Sequence, residues 1–446
     1  MSPSTVTIDI YIVSQSPPLA SISNIVIDAS TALTVQATTP HATMVAMQSA
    51  LRFTITHRLP GALGRSGVIT TPHGSIQTPA FIPVGTQATL KSLTPEQLAA
   101  TGAQACLVNA YHLYLRPGHD VIDKAGGIHT FMNWAGPTFS DSGGFQVMSL
   151  GVGFKKVIDM SGNGDGNVTH KKDKLATIDN DGVTFKSHLD GSLHRLTPEI
   201  SMQIQHGIGA DITFAFDELT TLHHSYDYQV ESLNQRTHPW AERSLAEHKR
   251  LNAARTHRPP QALFGVVQGA HFEDLRRASA RFLGAMDFDG YGLGGALEKA
   301  RIGEIVGWMS EELPEGKPRH MLGISEPDDI FACIAHGADT FDCVSPARVG
   351  RNGALYTPHG RVNIRRAEFK RDYRPFSADC DCYTCRHYSR AYLHHLFRTG
   401  ELLGNTLATI HNERFIVRLV DDIRLSIQNG TFTDVQRDFL GKYYAH

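Results

Sequence analysis

The chain has 446 residues, 41% of them hydrophobic and 19% charged, a composition that excludes a disordered or fibrous chain and a length that fits one large domain with an extension, or two to three ordinary domains. Its formal net charge of −2 excludes a generic polyanion binder, so any nucleic-acid contact must come from a local basic patch. No run of about 18 uncharged apolar residues occurs, and no membrane span is expected.

Residues 1–50 are rich in Ser, Thr, Ala and Pro and contain no Lys or Arg; the first basic residue is Arg52. A secretory signal needs a positive start and a mitochondrial presequence needs arginines, so neither is supported. This stretch reads as a disordered or loosely attached extension. From Arg52 the pattern becomes regular. Arg52 to Thr56 and Ser66 to Thr71 read as half-buried strands around a Gly-rich turn. Apolar runs then recur at Ala80–Val84, Ala105–Asn109, Thr138–Ser140, Ile212–Phe216, Ala262–Val267, Tyr291–Leu293, His320–Leu322 and Thr340–Cys343.

Helices are predicted between these runs. Thr94-Pro95-Glu96-Gln97 is a capping box with Pro at the first helical position, and Thr197-Pro198-Glu199 repeats the cap and Pro. Ser325-Glu326-Pro327-Asp328 offers a Ser cap followed by acidic residues that suit the helix dipole. Helical segments are expected near 197–206, 236–254, 272–285, 303–313 and 327–336. Strands alternating with helices imply a parallel sheet. Asp141, Asp217, Gln268, Gly294 with Gly295, Gly323 and Asp342 each lie at or just past the end of a different run. A barrel gathers all such ends around one mouth, so the predicted class is α/β, a (β/α)8 barrel with an inserted or C-terminal zinc-binding subdomain.

Residues 151–182, rich in Gly, Asn, Asp and Lys, read as a mobile surface insertion. A hairpin follows, with Asp190-Gly191 as its turn. After Asp342 a turn carries two arginines, and the tail runs through the cysteines into helices near 390–399 and 411–428. The domain reading is an extension over 1–50 and a barrel over 51–446, with a zinc subdomain at about 352–411 and C-terminal helices at about 412–446.

Three constellations carry chemistry. Cys380-x-Cys382-x2-Cys385, with His411 after a 25-residue gap, supplies three thiolates and an imidazole, a closed shell of the kind structural zinc takes. The other three cysteines, Cys106, Cys333 and Cys343, sit in apolar runs, so six cysteines make no disulfide scaffold; a metal site in a reducing, cytoplasmic setting is expected. Eight basic residues between Arg348 and Arg374, against Glu368 and Asp372, form a concentrated positive patch. Asp141 and Asp342 are a candidate carboxylate pair for glycosidic chemistry, one as nucleophile and the other handling protons. Asp217, Gln268 and Gly294-Gly295 together can read the edge of a nucleobase, and Phe145 can stack on its face.

Taken together, Asp141-Ser142-Gly143-Gly144-Phe145-Gln146, His188-Leu189-Asp190-Gly191-Ser192, Val267-Gln268-Gly269, Phe341-Asp342-Cys343-Val344 and the cysteine–histidine pattern resemble the tRNA-guanine transglycosylase (queuine tRNA-ribosyltransferase) family in its bacterial form, over about Arg52 to His446. The resemblance implies exchange of guanine at the wobble position of GUN-anticodon tRNAs (Asp, Asn, His, Tyr) for 7-aminomethyl-7-deazaguanine, in queuosine biosynthesis. Free queuine as the incoming base, or a non-catalytic zinc-containing tRNA-binding subunit, are the alternatives. It implies Asp342 as nucleophile and Asp141 as proton acceptor and donor. It implies a substrate pocket of Asp141, Ser142, Gly143, Gly144, Phe145, Asp217, Gln268, Gly294, Gly295 and Leu322. RNA contacts would come from Gly323, Ile324, Ser325, Glu326, Pro327, Asp328 and Asp329, and from Ala347, Arg348, Val349, Gly350 and Arg351. One structural zinc per chain and a homodimer are likewise implied. Leu219, the loop Gly294-Gly295-Ala296-Leu297-Glu298 and Leu322 depart from the usual bacterial pattern and bear on which base fits.

Overall fold

A computed structural model of the chain describes residues 50–152 and 176–445. The extension read at 1–50 and most of the insertion read at 151–182 lie outside the described residues. Three strands open the described chain: β1 (Arg52–Arg58), β2 (Arg65–Thr71) and β3 (Gly74–Thr78), antiparallel in that order. The strand β3 was not expected, because its five residues offer only Ile76 as an apolar signal.

The chain then alternates. β4 (Ala80–Pro83), β5 (Cys106–Val108) and β6 (Thr138–Ser140) precede a small antiparallel sheet of β7 (Ala176–Asp179), β8 (Gly182–Lys186) and β9 (Leu193–Leu196). Here the insertion reading ran too far. Residues 176–179 pair with β8, with Ile178 opposite Val183 and Ala176 buried against the core. The expected turn at Asp190-Gly191 joins β8 to β9. Next come β10 (Ile212–Phe214), β11 (Ala262–Val267), β12 (Gly290–Leu293), β13 (Arg319–Met321) and β14 (Thr340–Cys343).

The eight predicted runs form one parallel sheet, in the order β4-β14-β13-β12-β11-β10-β6-β5. It closes on itself: Val84 bridges Leu107 in parallel, and the Gly85 N–H donates to the Leu107 carbonyl at 2.7 Å. The fold is therefore the expected (β/α)8 barrel. Side chains alternate across each strand. Ile82, Leu107, Phe139, Phe214, Phe264 and Val266 fill the interior, whereas Phe81, Val108, Leu263, Tyr291, Met321 and Phe341 pack outward under the helices. Glycine makes room for the large interior rings. A Cβ on Gly290 would lie 2.5 Å from Phe264, and one on Gly292 would lie 3.1 Å from Phe214.

The helices begin where their caps predict. Gln97 N–H donates to Thr94 Oγ1 at 3.2 Å and Thr94 N–H to Gln97 Oε1 at 3.0 Å, closing the capping box. Thr197 caps Pro198–Ile208 through Ile200 N–H. Ser325, however, is not a cap. The helix Pro327–Ala335 starts from Glu326 with no side-chain cap, and Ser325 is buried beside Cys343 instead. The turn expected after Asp342 is the short helix Ser345–Arg351. It is followed by the hairpin of β15 (Ala354–Thr357) and β16 (Gly360–Asn363). The helix expected from His411 begins earlier, spanning Leu402–Gln428, which sets His411 in mid-helix. Among the described residues, no helix is long and apolar enough to cross a membrane.

The β1–β3 sheet covers the N-terminal end of the barrel. Leu51, Ile69 and Ile76 join the interior cluster beside Ala80, Ile82 and Ile212. Two polar ties hold it. Arg65 meets Asp339 through Nε at 2.9 Å and Nη2 at 2.7 Å. Asp211 takes His73 Nδ1 at 2.6 Å, His129 Nε2 at 3.0 Å and the Thr138 N–H at 2.9 Å. Burial opposes ionisation of Asp211, but the hydrogen bonds from His129 and His73 outweigh it and hold its pKa at about 2. Such a group stabilises the fold above its unfolded pKa near 4 and ceases to do so as pH falls toward 2. Asp211→Asn is expected to cost about 2 kcal/mol near neutral pH, with the deficit shrinking below about pH 4, as urea titrations at several pH values would measure.

Candidate active site at the barrel mouth and an adjoining metal centre

The barrel brings the predicted site residues to one end. Asp141 directly follows β6, Asp217 lies three residues past β10, Gln268 follows β11, Gly294-Gly295 follow β12, Leu322-Gly323 follow β13, and Asp342 lies within β14. In a barrel, those ends share a mouth.

Asp342 shares the inward face of β14 with Thr340, while Phe341 packs outward. Its Oδ1 accepts from His320 Nε2 at 3.1 Å and from the Gly323 N–H at 3.2 Å. Asp141 is held more tightly. Its Oδ1 accepts the Ala110 N–H at 2.7 Å, and its Oδ2 accepts from Gln146 Nε2 at 3.0 Å and from Asn109 Nδ2. Burial pushes the Asp141 pKa up to about 6, the three donors pull against that, and the nearby charge of Asp342 adds to the rise. The two carboxylates thus sense each other across one site.

Asp217 forms the second part of the site. Its Oδ2 accepts from Gln268 Nε2 at 2.6 Å, and burial raises its pKa to about 7. Gln268 Oε1 is buried with no partner. Gly295 has φ +84°, and a Cβ there would sit 2.1 Å from that same oxygen. A Cβ on Gly294 would meet Val266 at 2.8 Å and Leu322 at 3.3 Å, so Leu322 lies against the glycine loop. Ser142 is buried, its hydroxyl accepting the Gly144 N–H at 3.2 Å, and Gly143 takes φ +80° to turn the chain. Phe145 is about two-fifths exposed (39%) at the start of the helix Gly144–Val152. Leu219 donates its N–H to Met148 Sδ at 2.9 Å.

Residues that sequence reasoning passed over support this arrangement. Arg276 is fully buried and ties the two reading loops together. Its Nη1 donates to Val267 O at 3.0 Å and Gly294 O at 2.7 Å, and its Nε to Ala270 O at 2.8 Å. An arginine on the buried face of an amphipathic helix was the available signal. Asn109 gave a weaker one, as the last polar residue of an apolar run.

The predicted RNA-contacting segments divide by exposure. Gly323 and Arg348 are exposed, whereas Ile324, Ser325, Pro327, Asp329, Ala347 and Gly350 are buried. Gly350 faces the long helix, where a Cβ would meet Asn412 Nδ2 at 3.0 Å. The acidic residues of the first segment are neutralised: Asp329 and Asp328 by Lys299, and Glu326 by Arg361. Arg348, Arg365, Arg366, Lys370, Arg371 and Arg374 are exposed, with Arg366 3.7 Å from Glu368 and Arg374 2.7 Å from Asp372.

Cys380, Cys382, Cys385 and His411 place their donor atoms within 4.8 Å of one another, an arrangement that could hold a metal ion. His411 Nδ1 lies 3.6, 3.6 and 3.3 Å from the three sulfurs in turn. Its Nε2 lies 2.7 Å from the Tyr356 carbonyl, to which it can only donate, so Nδ1 is left as the ligand atom. Three sulfurs and one nitrogen fill a tetrahedron and suit zinc in a structural role.

A family model described as queuine tRNA-ribosyltransferase matches residues 61–445. The chain is 46% identical over 384 residues to the queuine tRNA-ribosyltransferase of Desulforamulus reducens, covering 85% of this chain and 95% of that protein. It is 46% identical over 401 residues to the protein of that name in a Roseiflexus species, covering 88% and 99%. With that of Symbiobacterium thermophilum it shares 44% identity over 400 residues, covering 89% and 92%.

Proposed function

The chain belongs to the queuine tRNA-ribosyltransferase family, and from that premise we propose that it exchanges guanine at the wobble position of GUN-anticodon tRNAs for 7-aminomethyl-7-deazaguanine. The observation that carries this reading is the placement of Asp141 and Asp342 at one mouth, beside the Asp217–Gln268 pair. In the first displacement, an Asp342 oxygen bonds to the ribose C1′ as the C1′–N9 bond breaks, and the departing guanine takes a proton from Asp141. In the second, Asp141 removes the proton from N9 of the incoming base, which forms the new bond as the Asp342 ester breaks. Two inversions give net retention. No energy-rich cofactor is required, because one glycosidic bond replaces another.

Asp217 accepts from the base's N–H groups, while Gln268 and Gly295 hold its carbonyl oxygen. Phe145 and Leu322 form the walls. Zinc fits the Cys3His set as a structural ion that holds the basic face in place. The proposal extends to a homodimer, which sedimentation would measure.

The test is incorporation of radiolabelled guanine into a tRNA-Tyr transcript, followed by competition between the two 7-deazaguanines. Binding of tRNA without incorporation would point to a non-catalytic subunit. Asp217 accepts two donors only when ionised, and its raised pKa puts the neutral form in play at about pH 7. The KM for guanine should therefore rise as pH is lowered through 7, approaching about tenfold per unit below it. Gly295→Ala should raise the same KM by at least about tenfold, because its Cβ displaces the Gln268 amide, and the positive φ should cost it about 1 kcal/mol of stability as well.

A further inference from the structure

Resting on the exchange reaction proposed above, we infer that His320 is a positioning residue for the nucleophile, fixing the Asp342 carboxylate by a hydrogen bond to Oδ1 so that Oδ2 is the oxygen that attacks. His320 is fully buried on the inward side of β13, its ring packed against those of Phe139 and Phe214 at centroid distances of 5.3 and 5.2 Å. Thr340 Oγ1 lies 2.9 Å from its Nδ1, and Asp342 Oδ1 lies 3.1 Å from its Nε2. A hydroxyl can donate to Nδ1, which leaves the ring proton on Nε2; the carboxylate, having no proton of its own, can only accept it.

A buried histidine satisfied by core partners would be packing alone. Here one partner is the carboxylate that forms the covalent bond, and the other is its neighbour on the inward face of β14. The Gly323 N–H reaches the same Oδ1 at 3.2 Å, so two donors converge on one oxygen. That convergence serves both displacements. When Oδ2 bonds to C1′, Oδ1 becomes the carbonyl oxygen of the ester and keeps both donors. When the ester breaks, the electron pair returns to a carboxylate whose Oδ1 is already stabilised. His320 gains and loses no proton in either step.

The experiment measures single-turnover formation of the covalent RNA adduct, and steady-state exchange, for wild type, His320→Phe and His320→Gln. Phe keeps an aromatic ring against Phe139 and Phe214 and removes the donor. Gln keeps a donor at nearly the Nε2 position. His320→Phe should slow adduct formation on the order of 10- to 100-fold, with KM for tRNA and guanine within about twofold of wild type. His320→Gln should recover most of the rate. Adduct formation in His320→Phe at the wild-type rate would overturn the inference, as would losses in both variants that track a fall in thermal stability. A wild-type protein that incorporates no guanine sinks the exchange reading and this one together. Normal wild-type exchange beside an unimpaired His320→Phe sinks this one alone.

Discussion

Asp342→Ala should abolish the covalent RNA adduct and lower guanine exchange by at least about 10⁴-fold, while tRNA affinity stays within about threefold. Nothing else described at the mouth can replace it. Asp141 is held by Asn109, Ala110 and Gln146 for its part as proton carrier, and Asp217 is held by Gln268 at the base edge. Affinity should persist because, in the proposed reading, the phosphates meet exposed arginines and a lysine and not the nucleophile. Denaturing electrophoresis of enzyme trapped with labelled tRNA reads the adduct, and filter binding reads affinity. An adduct that survives in Asp342→Ala would move the nucleophile elsewhere.

Stripping the metal, or Cys382→Ser, should lower the unfolding midpoint by roughly 5–10 °C and expose residues near 372–399 to protease. The reason lies in the helix Leu402–Gln428. His411 on that helix reaches the three sulfurs on one side and the Tyr356 carbonyl on the other. Its neighbour Asn412 donates to the carbonyls of Pro346 and Ala354, both at 3.0 Å, and accepts the Tyr356 N–H at 3.1 Å. Losing the ion therefore loosens the seat of the Arg348 helix as well as the cysteine loop. Metal analysis, calorimetry and limited proteolysis would measure this. A metal-free protein that melts at the same temperature would remove the structural role.

The barrel was legible because each strand is a short run buried on both faces and bounded by turn residues. Its mouth was legible because polar residues sat at the ends of those runs. What escaped notice had local signals that pointed the wrong way. Gly404 and Asn405 look like breakers, yet Gly404 is where the helix Leu402–Gln428 approaches Leu396 and Phe397, a Cβ there meeting them at 3.1 and 3.4 Å. Pro346 suggested a turn but occupies the first turn of a helix, where its missing N–H costs nothing. Ser325 looked like a cap, but burial beside Cys343 took it out of that role. His320 appeared only as the start of an apolar run, and pairing of β13 with β14 is what brings Thr340 and Asp342 to its ring.

The plugged lower end of the barrel has a kinetic meaning. With Leu51, Ile69 and Ile76 stoppering one end, the proposed exchange has a single doorway, across which its polynucleotide substrate would lie. The outgoing and incoming heterocycles must then take turns in the same berth. Each should act as a competitor of the other for the same ester-linked form of the protein, and neither can queue behind the other inside the molecule.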